Sequence, residues 1–406
     1  MTRRPRRGWL VLLLGFLTGL LGVYTLSVYA LSYTVWVDHW LAGFLMLSLP
    51  VAMLLLLLTM LYWLLVRPVN AWFPLVVLLL GWPFWKRTLA WHPVHESLTA
   101  EHSLKVMSYN LMFFDVARYT DPDQPRTANA PKMIDWVVDF RADVKCFQEF
   151  YNWDEVNKLD VFRTSARLRK AGYRYALTLT PPTTKPESQG FIGLAIFSRY
   201  PLIRRVSAVY SSAGNGYLVA DLVRGGDTIR IINVHLQSMG IRVGKVMRQR
   251  DLEGAENETR GIASQLKWGF RKRAGQIADL ERLVEKSPYP VILCGDLNET
   301  PYGLVYGRLR RLLHNSFEDA GRGAGFTYNR SPRFIRIDNQ FYSVKNKKLE
   351  GKSEGLKAVR RAVKSEEMKV KNGPPRGEGL KVTRFTTHSK IRFSDHNPIS
   401  AEYVLK

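Results

Sequence analysis

Apolar positions dominate the first 95 or so residues and then give way to shorter runs with helical or alternating periodicity. The first run, about Trp9 to Tyr29, has the length a helix needs to cross a bilayer. A second, Leu41 to Val66, is interrupted only by Pro50. A third, Ala71 to Trp85, contains Pro74 and Pro83, with Trp72, Trp82, Phe84 and Trp85 at its ends, where interfacial anchors gather. A cleaved leader is the competing reading of the first run, because Val28 and Ala30 loosely resemble a cleavage site. The full-length second run weakens it. The pattern predicts a membrane segment over residues 1–95, with three crossings favoured over two, and a separate domain over residues 96–406.

From Ser97 onward the runs are those of a folded domain. "LKVMSYNLM" and "DVKCFQEF" read as strands flanking an amphipathic helix, "APKMIDWVVDFRA". "NKLDVFRTSARLRKAG" reads as a helix ending at Gly172, and "YRYALTLT", "GLAIFSRYPL", "GYLVADLV" and "DTIRIINVHLQS" as strands. A helical pattern over about Ser264 to Lys286 precedes "PVILCGDLN", and the chain closes with "RIDNQFYS" and "HNPISAEYVL". Strands that follow one another without helices, mixed with strands that do not, predict mixed sheets covered by helices. Gly240–Gly261 and Lys345–Arg392 break the order as polar stretches. Both read as solvated loops or, more sharply, as phosphate-binding arms.

Charge adds a partner class. The chain has 59 Lys and Arg against 35 Asp and Glu, a net +24, and Lys345–Arg392 alone carries fifteen basic residues against five Glu. Such an excess suits a polyanion, either nucleic acid or an anionic membrane surface, or else is simply a basic, soluble surface. Arg3, Arg4, Arg6 and Arg7 place the N-terminus on the cytoplasmic side, while Lys86 and Arg87 pull the end of the third run the same way. Cys146 and Cys294 each sit inside an apolar run and read as core residues, with no disulfide framework and no zinc spacing.

The candidate chemistry lies at the ends of the strands. "VMSYN" ends in Asn110, "VKCFQE" in Gln148 and Glu149, "IINVH" in His235, and "VILCGDLN" in Asp296 and Asn298. "RID" delivers Asp338, and "FSDHNP" delivers Asp395 and His396. Any one of these is an ordinary turn former or cap. Together they form a set of carboxylates, imidazoles and amides almost without lysine. A hard cation takes carboxylate and carbonyl oxygens. Phosphate ester hydrolysis needs a polarised phosphoryl oxygen, an activated water and a proton for the leaving oxygen.

"SYNLM", "FQEF", "GLAIFSRYPL", "NVHLQS", "GDLNETP", "RID" and "SDHNPI" resemble, in order and spacing, the endonuclease/exonuclease/phosphatase superfamily, whose members include deoxyribonuclease I, sphingomyelinases and inositol polyphosphate 5-phosphatases. The likeness covers about Leu104 to Leu405. It implies an α/β (α+β) four-layer sandwich, with two mixed β-sheets packed face to face and helices outside. By the same likeness, Asn110 and Glu149 would bind Mg²⁺ or Mn²⁺, with Asp395 as a further metal or water-held contact. His396, oriented by Asp338, would act as general base or phosphate stabiliser. Asp296 would position or deprotonate the attacking water, Asn298 would hold a phosphate oxygen, and His235 would contact the phosphate or assist the leaving group. "LMFF" after "SYN" lacks the acidic residue of some abasic-site enzymes, and Asn339 and Gln340 stand where many relatives have an aromatic residue or histidine.

Three functions follow. The first is a membrane-anchored, metal-dependent nuclease on DNA or RNA, favoured by the charge. The second is a phosphodiesterase or phosphatase of a phospholipid headgroup or small phosphate ester, favoured by the anchor. The third, a polyanion-binding scaffold without catalysis, ranks last because every catalytic residue type is present. An inner-membrane, multi-pass location with the domain on the periplasmic or extracellular face follows from three crossings.

Overall fold

The computed structural model of the chain describes residues 6–93, 103–121, 123, 129–153, 159–179, 190–211, 214–238, 252–331, 333–344 and 379–405. Its strands are β1 (Ala90–Trp91), β2 (Leu104–Asn110), β3 (Val144–Trp153), β4 (Tyr175–Leu179), β5 (Gly190–Ser198), β6 (Leu202–Val209) and β7 (Gly216–Arg224). They continue as β8 (Asp227–His235), β9 (Val291–Asp296), β10 (His314–Asn315), β11 (Arg322–Gly323), β12 (Asp338–Tyr342), β13 (Leu380–Thr387) and β14 (Ile399–Leu405).

Two six-stranded sheets form, in the orders β13-β14-β2-β3-β5-β4 and β10-β12-β9-β8-β7-β6. Each has one parallel pair near its centre, β2 with β3 and β8 with β9, and antiparallel pairs elsewhere. Period-two alternation decides which side chains enter which layer. Ile229, Ile231, Ile292 and Cys294 point between the sheets, where they meet Val106, Cys146 and Ile196. Ile232, Val234 and Leu293 point the other way, onto Ile277 and Leu280 of the helix Leu252–Glu285 and Leu309 of the helix Leu304–Leu312. On the opposite outer face, Met107 and Phe147 pack on Ile134 and Val137 of the helix Ala130–Asp139, and on Leu168 of the helix Thr164–Lys170. The result is helix, sheet, sheet, helix, as the family resemblance implies. Ile292 lies wholly inside the middle layer, so Ile292→Ala is expected to destabilise the domain by about 2–5 kcal/mol, read from denaturant unfolding of the detergent-solubilised chain.

Polar side chains also cross the middle layer. Gln148 Nε2 donates to Ser108 Oγ at 3.2 Å and to Asn233 Oδ1 at 2.6 Å, and Asn233 Nδ2 donates to the carbonyls of Phe147 and Ala195. Gln340, noted above as a departure from relatives, donates to the carbonyl of Val106 and accepts from Tyr403 Oη. These bonds fix the registry of one sheet on the other, because an apolar layer alone tolerates sliding.

Several elements differ from expectation. The long helix begins at Leu252, inside the stretch expected to be a loop, and β13 occupies Leu380–Thr387 within the other; residues 239–251 and 345–378 lie outside the described residues. The helix expected over Asn157–Gly172 is a 3₁₀ turn, Asp160–Phe162, followed by the helix Thr164–Lys170. Strand β6 and the helix Leu304–Leu312 are additions. Cys146 and Cys294 are free and buried, as read.

Ahead of the sandwich stand the helices Arg6–Thr34, Trp40–Leu47, Leu49–Val66, Trp72–Leu80 and Trp82–Thr88. Two passages, Gly8–Thr34 and Trp40–Val66, are long and apolar enough to cross a membrane; Pro68–Leu80 and Trp82–Thr88, bent by 61°, make a third if counted as one. The break falls at Gly81 and Pro83 rather than at Pro74, which sits in the first turn of its helix, where proline is tolerated. These helices pack on the sandwich: Val35, Ala42 and Met46 cluster with Leu304, and Tyr302 joins Val28, Leu49 and Phe84. The expected boundary at residue 95 lies among residues outside those described.

Candidate active site

Parallel neighbours bring their carboxyl ends to the same edge of a sheet. In the first sheet Asn110 pairs with Gln148, which leaves Asn110 and Glu149 side by side. In the second, His235 pairs with Asp296. Antiparallel neighbours reach the same edge with their beginnings: Asp338 opens β12 opposite Asp296, and His396 just precedes β14, whose Ile399 pairs with Ser108. Register alone therefore gathers residues from six separate stretches of chain.

Local backbone refines the aim. A bulge between Phe147 and Phe150 sets Glu149 at φ +49°, a conformation rare for a side-chain-bearing residue, and turns it to the edge while Gln148 stays between the sheets. Asn298 has φ +50°. Gly295, at φ +142°, lets β9 approach β8 so closely that a Cβ would collide with the carbonyl of Val234.

The side chains then interlock. Asn110 Nδ2 donates to Glu149 Oε1 at 3.2 Å and to Asp296 Oδ2 at 3.1 Å. Asp296 Oδ1 accepts from Asn298 N at 2.8 Å. His396 Nδ1 and Asp338 Oδ2 lie 2.8 Å apart, and His396 Nε2 lies 3.7 Å from Asp296 Oδ2. His235 Nε2 stands 3.7 Å from both Glu149 Oε1 and Asp296 Oδ2, buried and, among the described residues, without a hydrogen bond. Asp338 Oδ1 is likewise buried and has no hydrogen-bond partner among the described residues.

Two expected contacts are set differently. Asn298 spends its amide hydrogens on the carbonyl of Leu236 at 3.0 Å and on Asp296 at 3.2 Å, so it braces Asp296 in this state. Asp395 lies at the rim, 3.5 Å from Arg330 Nε and near enough to act electrostatically on Glu149 and His396, outside the group of Asp296, Asp338 and His396 whose ligand atoms lie within 4.8 Å of one another.

Electrostatics separates the roles. Burial pushes Asp296 up to about 6 against the pull of His396. Burial works against charge on His396, yet Asp338 and Asp296 outweigh it and hold the imidazolium well above the ordinary histidine range. Burial lowers His235 and so favours its neutral form, against the pull of Asp296. Glu149 is raised by burial, with Asp395 and Asp338 adding to the effect. Glu149, Asp296 and Asp338 thus converge at one edge with one imidazolium, and their mutual repulsion, with the unpaired His235 Nε2 and Asp338 Oδ1 among the described residues, fits a site that takes a cation.

The sequence reading missed three supporting residues. Arg273, from the long helix, is buried against Glu299 at 3.3 Å and donates to the carbonyl of Gln237, tying the loops after β8 and β9. Glu299 Oε1 also caps Val305 N at 2.7 Å. Ser394 Oγ donates to the carbonyl of Asn110 and accepts from His396 N. Glu299 and Ser394 lie inside quoted motifs; Arg273 gives no local signal.

Comparison with known proteins adds the family. The sequence model of the endonuclease/exonuclease/phosphatase family matches residues 107–396, and that of a domain of unknown function matches residues 9–88. A search of curated proteins gives no match. Among solved structures, an endonuclease/exonuclease/phosphatase from Beutenbergia cavernae is 17% identical over 75% of this chain and 72% of its own, with a TM-score of 0.45. The human Nocturnin catalytic domain with bound sulfate is 16% identical over 75% and 95%, with a TM-score of 0.43. The family match spans most of the chain and takes in every strand end that carries a site residue, so the protein belongs to the endonuclease/exonuclease/phosphatase family.

Proposed function

We propose that this phosphoester hydrolase is a membrane-anchored, divalent-metal-dependent phosphodiesterase. The observation that carries the reading is the convergence of the His396–Asp338 pair, Asp296, and the Asn110–Glu149 pair on one buried edge. Glu149 and Asn110, with Asp395 from the rim, would hold Mg²⁺ or Mn²⁺, which supplies Lewis-acid polarisation of a phosphoryl oxygen. Asn110 would have to turn its amide oxygen inward for this.

Asp296, poised near 6, takes the proton of the attacking water, a task that calls for a pKa close to the working pH. His396, charged, faces the negative charge that grows on the phosphoryl oxygens, and Asp338 holds its ring by Nδ1. His235 Nε2 contacts the phosphate or assists the leaving group by hydrogen bonding to its oxygen. Asn298 steadies Asp296 and is free to meet a phosphate oxygen once that bond yields. Chelation by EDTA is expected to abolish turnover, with Mg²⁺ or Mn²⁺ restoring it. Glu149→Gln is expected to raise the Mg²⁺ concentration for half-activity about 10–100-fold, read from a metal titration.

The net charge of +24 favours nucleic acid as substrate. A second reading, a phospholipid headgroup or other ester at the bilayer surface, is favoured by the position of the site. Arg87, in the last turn of the membrane segment, bonds Pro301, just past Asp296 and Asn298. The helix Leu252–Glu285, about 51 Å long for its 34 residues, passes the site at Arg273 and runs on beside Trp40 and Phe44 of the segment. The edge that bears the site is therefore the edge that meets the membrane helices. Full-length protein offered plasmid DNA and phospholipid vesicles, each with Mg²⁺ and with EDTA, separates the two: nicking of DNA with lipid intact supports the first, headgroup release with DNA intact the second.

The same packing supports three crossings. The helix Arg6–Thr34 ends against the domain at Val35, Trp40–Val66 leads away, and Pro68–Thr88 returns to Pro301. With the arginine-rich N-terminus inside, the domain faces the periplasm or exterior. Protease added to intact spheroplasts should then digest the domain; protection would refute this orientation.

A further inference from the structure

Lys86 and Arg87 read in sequence as a charge flank that marks a helix end. In the structure the two differ. Arg87 is almost wholly buried, 3% exposed, at the junction of the last membrane-segment helix and the sandwich. Burying a guanidinium is unfavourable unless its charge is used, and among the described residues Arg87 makes no ion pair. Its Nη1 donates instead to the carbonyl of Pro301 at 3.1 Å, while the group lies over the rings of Phe84 and Tyr306, at 4.6 and 5.7 Å from their centroids. Its own carbonyl accepts from Arg336 Nη2 at 2.5 Å, and Arg336, also 3% exposed, lies over Phe317. The next residue, Thr88, bonds through its hydroxyl to that of Tyr302.

The two segments that Arg87 grips are not arbitrary. Pro301 closes the loop that leaves β9 through Asp296 and Asn298, and Arg336 stands two residues before Asp338 on the approach to β12. Arg273 and Glu299 brace the first loop from within the domain; Arg87 braces it from the membrane side and reaches the second loop as well. One residue of the apolar segment thus touches both loops, the first through its guanidinium and the second through its main-chain carbonyl, and the carboxylates of those loops flank His396 at 3.7 and 2.8 Å.

We propose that Arg87 is a positioning residue of the active site, so that the membrane segment completes the catalytic edge in addition to anchoring it. The proposal rests on the reading above that Asp296 and Asp338 act in hydrolysis. Displacement of reacting groups by about 1 Å costs on the order of 100-fold in rate, so release of either loop should fall on kcat. Substrate binding by the rest of the pocket should change little.

The test uses the full-length protein in phospholipid proteoliposomes with Mg²⁺ and the diester bis(p-nitrophenyl) phosphate as probe. Arg87→Met is expected to lower kcat about 10–100-fold with KM nearly unchanged. Arg87→Lys, which keeps a donor for Pro301, should recover a large part of the loss. Arg67→Met, an exposed arginine at the opposite end of the segment, should behave as wild type. Asp296→Asn, run alongside, reports on the site itself. An Arg87→Met enzyme with wild-type kcat beside an inactive Asp296→Asn overturns the positioning role and leaves the site reading intact. An active Asp296→Asn overturns the site reading. Equal losses in the Met and Lys variants, with kcat and KM falling together, mark Arg87 as structural only and also overturn the role. Should Arg87→Met fail to fold, Thr88→Val decides: it removes the hydroxyl's contacts to Tyr302 and to the carbonyl of Phe84, is expected to lower kcat in the same sense, and overturns the proposal if kcat is unchanged.

Discussion

Asp296→Asn is expected to lower kcat for phosphodiester hydrolysis by about 10²–10⁴-fold, the range spanned by removal of a positioned proton acceptor, with the domain still folded. The carboxylate is the one group that touches every part of the site: Asn110 and Asn298 donate to it, and both His235 and His396 stand 3.7 Å from its Oδ2. Asparagine keeps the shape but has no basicity near neutral pH. A steady-state titration with the diester probe separates this from a binding defect, because loss of an acceptor used only in the transition state lowers kcat and kcat/KM together. A loss below about tenfold would assign the proton to another group.

Asp338→Asn is expected to cost about 10²–10⁴-fold in kcat, the upper end being what removal of a histidine-orienting carboxylate costs in a serine protease triad. Asp338 fixes the His396 ring through Nδ1 at 2.8 Å and keeps it charged against the opposing effect of burial. The pH profile carries a second signature. Asp296 works ionised, so activity rises as pH passes about 6. His396 works protonated, and its pKa is raised, so activity falls only at a pH above the ordinary histidine range. Removing Asp338 lowers the His396 pKa and moves that descending limb toward acid, while the rising limb set by Asp296 shifts far less. A variant whose residual activity keeps the wild-type descending limb would show that His396 does not act as a cation.

The strands and the polar residues that end them were legible in the sequence because strands buried on both faces are bounded sharply, whereas the four-layer arrangement followed from the family resemblance. Asn110, His235 and Asp296 needed only the ends of apolar runs, and the order of the motifs supplied the rest. Elements were lost where local irregularity hides the pattern. A bulge at Arg204, φ +47°, breaks the alternation of β6, and another between Val382 and Arg384 does the same in β13. Strand β13 is also an edge strand whose charged face disguises Leu380, Val382 and Phe385 as loop. The first turns of the helix Leu252–Glu285 lack apolar periodicity because they extend past the sandwich core.

Side-chain partnerships were the least legible. Gln148 and Glu149 are adjacent and alike in sequence, but the bulge sends one between the sheets and the other to the site. Asp395 has a partner that the sequence did not announce, Arg330 at 3.5 Å. Arg273 and Arg87 carry no local signal, since what they hold lies at Glu299 and Pro301, far along the chain.

The central claim, metal-dependent phosphodiester hydrolysis at the edge where the two sheets converge, rests most directly on one measurement: turnover of bis(p-nitrophenyl) phosphate by the full-length protein in proteoliposomes, wild type beside Asp296→Asn, with Mg²⁺ and with EDTA. The account predicts turnover only by the wild type with Mg²⁺. Equal turnover by both proteins, or turnover that persists in EDTA, would contradict it.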